Sequence, residues 1–330
     1  MAIPSIDRET VLRWRFARHQ LDRPADSLGS VVDVDLLDAG VQDTGADGSA
    51  WALAIRGAPT PVLRRAGAGS DELAIAWTLR GAPHAYRRRD LASVATATAP
   101  WSERDAAKRV FDAATTMRRA GMDVLDGLAT VAAAMRRIVD HPMVKGDVSR
   151  RLGDELGAPF TRFCRPCNAV HLYEQTFRLA ALQAGLVLQP GTSPPVLERV
   201  GSWAAPAYRR LAGDADERFD VIRNVLRFWG PTTVGDVAGF VDAPAKDVRE
   251  HWPSDVAVVE VDGVERFVLA GDEPASAGTS GVLRLLGPYD PFLQLRDREL
   301  LVPDATRRKA VWPTLGRPGA VVVDGELVAL

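Results

Sequence analysis

The run from Asp216 to Leu269 leaves this chain fewer folds than any other part of it. Phe219, Ile222, Leu226 and Trp229 fall on one stripe, the spacing of a helix with a single buried face, and Gly230-Pro231 ends it. Thr233 to Asp236 reads as the cap of a second helix through Val241, and Pro244 opens a third, to about Trp252. Val256 to Val261 and Glu265 to Leu269 then flank Asp262-Gly263. A two-residue hairpin turn needs positive φ at both positions, which Asp-Gly supplies at little steric cost. Three helices followed by a two-stranded wing is a helix-turn-helix variant, the winged helix.

The same order recurs twice upstream. Arg8 to Leu21 reads as an amphipathic helix stopped by Pro24; Ser27 to Ala39 and Ser49 to Arg56 read as two more, and Thr60-Pro61 starts a short fourth. The glycine-rich stretch Gly67 to Gly69 then leads into strands Leu73 to Leu79 and His84 to Arg87. Next come helices Glu103 to Ala120, Asp123 to about Asp140, Val148 to Leu156 and Asn168 to Ala184, with a wing from Leu186 to Gln189 and Val196 to Val200. Beyond a linker at Asp272 to Ser280, strands are expected at Val282 to Leu286, Glu299 to Val302 and Ala320 to Val328, the last holding a second Asp-Gly. The expected fold is α+β: three tandem winged-helix units, residues 1–101, 102–213 and 214–273, and a small C-terminal β-rich domain, 274–330. These copies share arrangement rather than evident sequence identity.

Composition narrows function mainly by exclusion. At 330 residues the chain exceeds a single typical core. A net charge of −2 means that any nucleic-acid surface must be a local patch. No apolar run approaches a membrane span, so the expectation is a cytoplasmic protein with no membrane contact. Lysine occurs only at Lys108, Lys145, Lys246 and Lys309, which argues against Schiff-base chemistry near the N-terminal third. Cys164 and Cys167, with His171, supply at most three ligands, so no metal and no cofactor is expected and the cysteines read as packing residues beside a helix start. A GxSxG elbow, a Walker loop, HExxH and a dinucleotide fingerprint are all missing from the sequence.

The richest chemistry lies between Gly40 and Tyr86. Gly40 closes the expected helix, which puts Gln42, Asp43 and Thr44 in a connection where side chains can face a ligand. Downstream, Trp77 to Tyr86 forms a hairpin with Arg80 and His84 at its bend, Tyr86 on the return strand and Arg87-Arg88-Arg89 after it. Arginines in such a place suit phosphates.

Taken together, these stretches resemble the AlkZ/YcaQ-like DNA glycosylases. Gly40-Val41-Gln42-Asp43-Thr44 resembles that family's leucine-glutamine-x-glutamine (or x-aspartate) motif. Trp77-Thr78-Leu79-Arg80-Gly81 with His84 resembles its tryptophan, arginine and histidine hairpin, and Leu285 to Phe292, Arg296 to Arg298 and Val322 to Gly325 resemble its end. The resemblance covers nearly the whole chain. It implies three winged-helix units, excision of alkylated bases, unhooking of crosslinks, and double-stranded DNA as the partner of a monomer. One departure stands out: the third motif position is a hydroxyl, Thr44, in place of glutamine or aspartate.

Two functions follow. In the first, Gln42 orients a water, which an amide does by donating and accepting, and Asp43 or Thr44 assists; Arg80, His84, Tyr86 and Arg87 to Arg89 hold the DNA. In the second, Asp43 is a turn or cap residue before Gly45 and the scaffold is a non-catalytic DNA-binding protein, a regulator or a resistance protein that sequesters damage.

Overall fold

The computed structural model describes residues 3–45, 48–59, 71–166, 168–201, 203 and 208–330. The short helix expected at Thr60-Pro61, the glycine-rich stretch Gly67 to Gly69 and Cys167 lie outside the described residues. Helices and small, mostly antiparallel sheets make an α+β chain. It divides into two compact units, each built from separated segments. The first comprises Met1–Gly67, Asp220–Val241 and Val248–Leu330; the second comprises Ala68–Phe219 and Asp242–Asp247.

In the first unit the hairpin read from Asp262-Gly263 forms. Strands Val256–Val261 and Val264–Leu269 pair antiparallel, and Asp262 and Gly263 take φ of 49° and 78°. Ser5–Ile6 adds a short parallel strand, with Ile6 opposite Val261. Helix Arg8–Arg18 starts at Asp7, whose carboxylate accepts from the Thr10 amide at 2.7 Å. Its Leu12 and Phe16 enter a core with Phe292, Leu293, Val322 and Leu327. That core lies on a sheet of Leu283–Leu286, Ala320–Val323 and Glu326–Ala329. The second Asp-Gly closes its hairpin, and a Cβ on Gly325 would lie 2.2 Å from the Leu12 carbonyl oxygen, so only glycine lets the turn approach the helix.

Two ion pairs are sealed inside this unit. Arg15 reaches Asp297 at 2.5 Å and also donates to the Pro231 carbonyl at 2.8 Å. Arg56 is bidentate on Asp290, at 2.9 and 2.7 Å, with both side chains shut off from solvent. A charge so buried depends on its partner, because either one alone would be stranded in low dielectric.

The second unit packs helices Val124–Ile138 and Glu174–Gln183 under a sheet. Leu73–Trp77 pairs with Pro83–Arg87, Leu186–Leu188 pairs with Val196–Arg199, and Ile75 opposite Leu188 joins the two hairpins. Trp77 meets Phe177 edge to face at 5.9 Å. Gly81, at φ 68°, is tight: a Cβ there would lie 2.5 Å from Gln175 Oε1.

Several expected elements take another form. Ser27 to Ala39 is two 3₁₀ turns, Val31–Asp33 and Asp35–Asp38, separated by extended Val34. Ser30 and Asp33 exchange side chain and backbone bonds, and β-branched Val31, Val32 and Val34 resist a helix. Glu103 to Ala120 breaks into Glu103–Arg109 and Asp112–Arg119. Ala106, Val110, Ala113 and Met117 stay buried through the break, so periodicity does not register it; Phe111, at φ 48° and 56% exposed, does. Asn168 to Ala184 is a helix only from Glu174, because a hairpin, Thr161–Cys164 with Ala169–Leu172, comes first. Pro166 sets its turn, and the Asn168 amide donates to the Arg165 carbonyl at 3.2 Å. Cys164 therefore sits on a strand rather than beside a helix start. Asp220 caps its helix by accepting from the Arg223 amide, so the helix begins at Val221 rather than Asp216. Where a strand was expected at Glu299 to Val302 there is a helical turn, Arg298–Leu301, which buries the neighbours Leu300 and Leu301 together as a strand would not.

Candidate active site

Gly40, at φ 88°, turns the chain out of the second 3₁₀ turn into the two-residue strand Val41–Gln42. That turn is fixed from behind within the first unit. The Asp38 carbonyl accepts from Asn224 Nδ2 at 3.2 Å and its carboxylate from Arg227 at 3.1 Å. Gln42 is 9% exposed and its Nε2 donates to Thr44 Oγ1 at 2.9 Å. That bond orients the amide so that Oε1 is its acceptor. Asp43 turns the other way. Its Oδ1 accepts from the Ser49 amide at 3.1 Å and from Ser49 Oγ at 2.5 Å, the work of a cap at the start of helix Gly48–Ala54.

Gln42 and Thr44 line a cavity of about 280 Å³ that Asp43 does not line. Trp51 and Tyr289 contribute two rings to it, and Gly287 and Asp290 further wall. The Asp290 carboxylate is held by Arg56, so the cavity's charge is balanced from below. The cavity thus joins the Gln42 stretch to Leu285 to Phe292, two segments that the sequence separates by more than 240 residues. Trp51 carried no signal in the sequence, where it is one apolar residue on a short helix.

The hairpin of the second unit treats its polar residues differently. Arg80 stands at the bend with φ 57° and is half-buried. His84, Tyr86 and Arg87 are 4%, 1% and 3% exposed. The His84 Nδ1 proton is donated to the Ala82 carbonyl at 3.0 Å, and Thr78 Oγ1 lies 3.0 Å from Nδ1 and 2.9 Å from the Tyr86 hydroxyl. Burial, with the Arg80 charge second, lowers His84 to about 3, so its ring is neutral. Burial raises Tyr86, partly offset by its bond to Thr78. Arg87 faces Asp90 at 3.7 Å, Arg88 is half-buried, and Arg89 is open to solvent. Of the six residues expected to hold DNA, Arg80, Arg88 and Arg89 therefore reach the surface, and the other three serve the hairpin's interior.

The match to family models decides what this combination is. Residues 36–330 match the family described as DNA glycosylase AlkZ-like. The chain belongs to the AlkZ-like DNA glycosylase family. Among solved structures, the DNA glycosylase AlkZ of Streptomyces sahachiroi superposes with a TM-score of 0.73 at 19% identity, over 98% of this chain and 87% of that one. At that identity the likeness is one of fold. The comparison with curated proteins gives no match. The matched span contains both the Gln42 cavity and the hairpin. Among the described residues no group of three histidine, cysteine or acidic side chains could hold a metal ion, and no helix is long and apolar enough to cross a membrane.

Proposed function

We propose that this chain hydrolyses the N-glycosidic bond of alkylated or crosslinked bases in double-stranded DNA, using a water positioned by Gln42. The observation that carries this reading is the Gln42–Thr44 pair on the wall of an aromatic cavity. An alkylated purine already bears positive charge, so it leaves with the bonding electrons as a neutral base while C1′ becomes oxocarbenium-like. Water then bonds to C1′ and loses its proton to solvent. The protein has only to place the water and favour the sugar cation. Gln42 Oε1 accepts from that water, and the bond to Thr44 keeps the amide from turning. Asp43 assists at one remove, by tying the loop to Ser49.

The proposed scaffold is three tandem winged-helix units, residues 1–101, 102–213 and 214–273, with the C-terminal β-rich segment 274–330. The hairpins ending at Arg87, Arg199 and Leu269 serve as wings. Arg80, Arg88 and Arg89 would contact phosphates of the duplex, and the protein would act as a cytoplasmic monomer. The test is release of N7-methylguanine from a duplex at low salt. Wild type should release it, and Gln42→Ala should release it about a hundredfold more slowly while binding the same DNA.

One observation favours the second reading. The Asp43 carboxylate is engaged by Ser49 and the third motif position is a hydroxyl, so the triplet offers the cavity no carboxylate. A non-catalytic DNA-binding protein on this scaffold would bind the duplex with a steep salt dependence and release nothing.

A further inference from the structure

We infer that Trp51 is the platform on which the damaged base lies, and that it selects bases carrying positive charge; this rests on the glycosylase reading above. Trp51 is 44% exposed, a large apolar surface left open on a helix of seven residues. It is nevertheless held. The indole Nε1 donates to the Leu285 carbonyl at 2.8 Å, which anchors the polar edge while the body of the ring lines the cavity that Gln42 and Thr44 share.

The neighbours keep that ring clear. A Cβ at Gly287 would meet Trp51 Cδ1 at 4.0 Å, so glycine there leaves the wall beside the ring without a side chain. Tyr289, the other aromatic, already carries Arg317 at 5.3 Å from its ring centre, and a second cation there would meet like charge. Asp290 is neutralised by Arg56. The indole quadrupole is what remains to tell a cationic base from a neutral one. The cavity, about 280 Å³, lies just below the ~300–1,000 Å³ usual for ligand sites, which suits a single base with a small alkyl group. As the bond breaks, positive charge moves from base to sugar. Attraction to Trp51 therefore acts on binding and fades in the product, which helps the neutral base depart.

The experiment has two arms. In the first, 7-methylguanosine, a cation, and its neutral isostere 7-methyl-7-deazaguanosine are titrated against wild type and Trp51→Leu by calorimetry, which reads both proteins alike. Wild type should prefer the cation by about tenfold and Trp51→Leu should lose that preference. In the second arm, release of N7-methylguanine under single turnover should need about tenfold more Trp51→Leu for half-saturation, with the maximal rate within about threefold of wild type. Trp51→Phe should recover part of the preference. Equal affinity of wild type for the two nucleosides, or a preference that survives in Trp51→Leu, would overturn the inference. A Trp51-dependent preference in a protein that releases no base would leave the platform standing and remove the glycosylase reading.

Discussion

The Gln42 stretch and the hairpin from Leu73 to Arg87 look alike in sequence, each a few polar residues at a turn, and the structure uses them in opposite ways. In the first unit, Gln42 and Thr44 line a cavity and bond to each other, while Asp43 is held by Ser49 away from it and Asp290 in its wall is paired with Arg56. In the second unit, Thr78, His84 and Tyr86 spend their polar atoms on one another and on the Ala82 carbonyl, and leave the surface to Arg89 and its neighbours. A polar residue at a turn is available for chemistry only when something else satisfies the turn. Asp43 does that for Gln42, and nothing comparable relieves His84.

The largest effect is expected at Arg56. Arg56→Ala strands Asp290 in the wall of the cavity, and a cost of about 3–5 kcal/mol is expected in denaturant unfolding, with loss of base release. A variant as stable as wild type would mean that the cavity needs no buried support.

Next in size is Gln42→Ala. Base release should fall by about a hundredfold, the loss typical of a positioned catalytic group, with thermal stability nearly unchanged. The hairpin should answer in the reverse sense. Tyr86→Phe removes the hydroxyl from Thr78 and should cost about 1 kcal/mol in stability with base release retained. If Tyr86→Phe abolished release while sparing stability, the hairpin would belong to the chemistry and the contrast would fail.

His84 sharpens the contrast through pH. Its folded pKa is depressed to about 3, mainly by burial and then by Arg80, against 6.5 when exposed. The unfolded chain therefore takes up a proton first. The stability that depends on the neutral ring is complete above pH 6.5 and declines as pH falls towards 3. His19 in the first unit, fully buried among Phe228, Trp229 and Phe292, is lowered in the same direction by burial and by Arg56 and Arg15. His84→Gln should accordingly remove part of the acid sensitivity, so that the gap in unfolding free energy between wild type and variant is narrower at pH 5 than at pH 8. A gap that widens on acidification would show that His84 is charged in the folded protein.

The smallest effect belongs to the surface. Arg89→Ala should weaken duplex binding evenly across sequences and lower the salt slope by about one.

What the sequence reveals follows from what is local. Asp262-Gly263 and Asp324-Gly325 announce their hairpins because two adjacent residues satisfy the turn, and Gly40 announces its positive φ for the same reason. The break at Phe111 is hidden because an apolar stripe runs on across it, and the hairpin around Cys164 is hidden by helix-like composition on either side. At the candidate site, the motif singles out Gln42, whereas Thr44 stands where that motif has glutamine or aspartate. That Asp43 serves Ser49, that His84 faces inward, and that Trp51 and Tyr289 complete the cavity depend on contacts between distant segments or on which way a side chain turns, and no spacing encodes them.

The catalytic role of Gln42 is tested by single-turnover release of N7-methylguanine from a duplex by wild type and Gln42→Ala, with DNA affinity and melting temperature measured on the same preparations. Wild type should release the base, the variant about a hundredfold more slowly, with equal affinity and stability in both. Equal release by both proteins, or binding without release by wild type, would contradict that role.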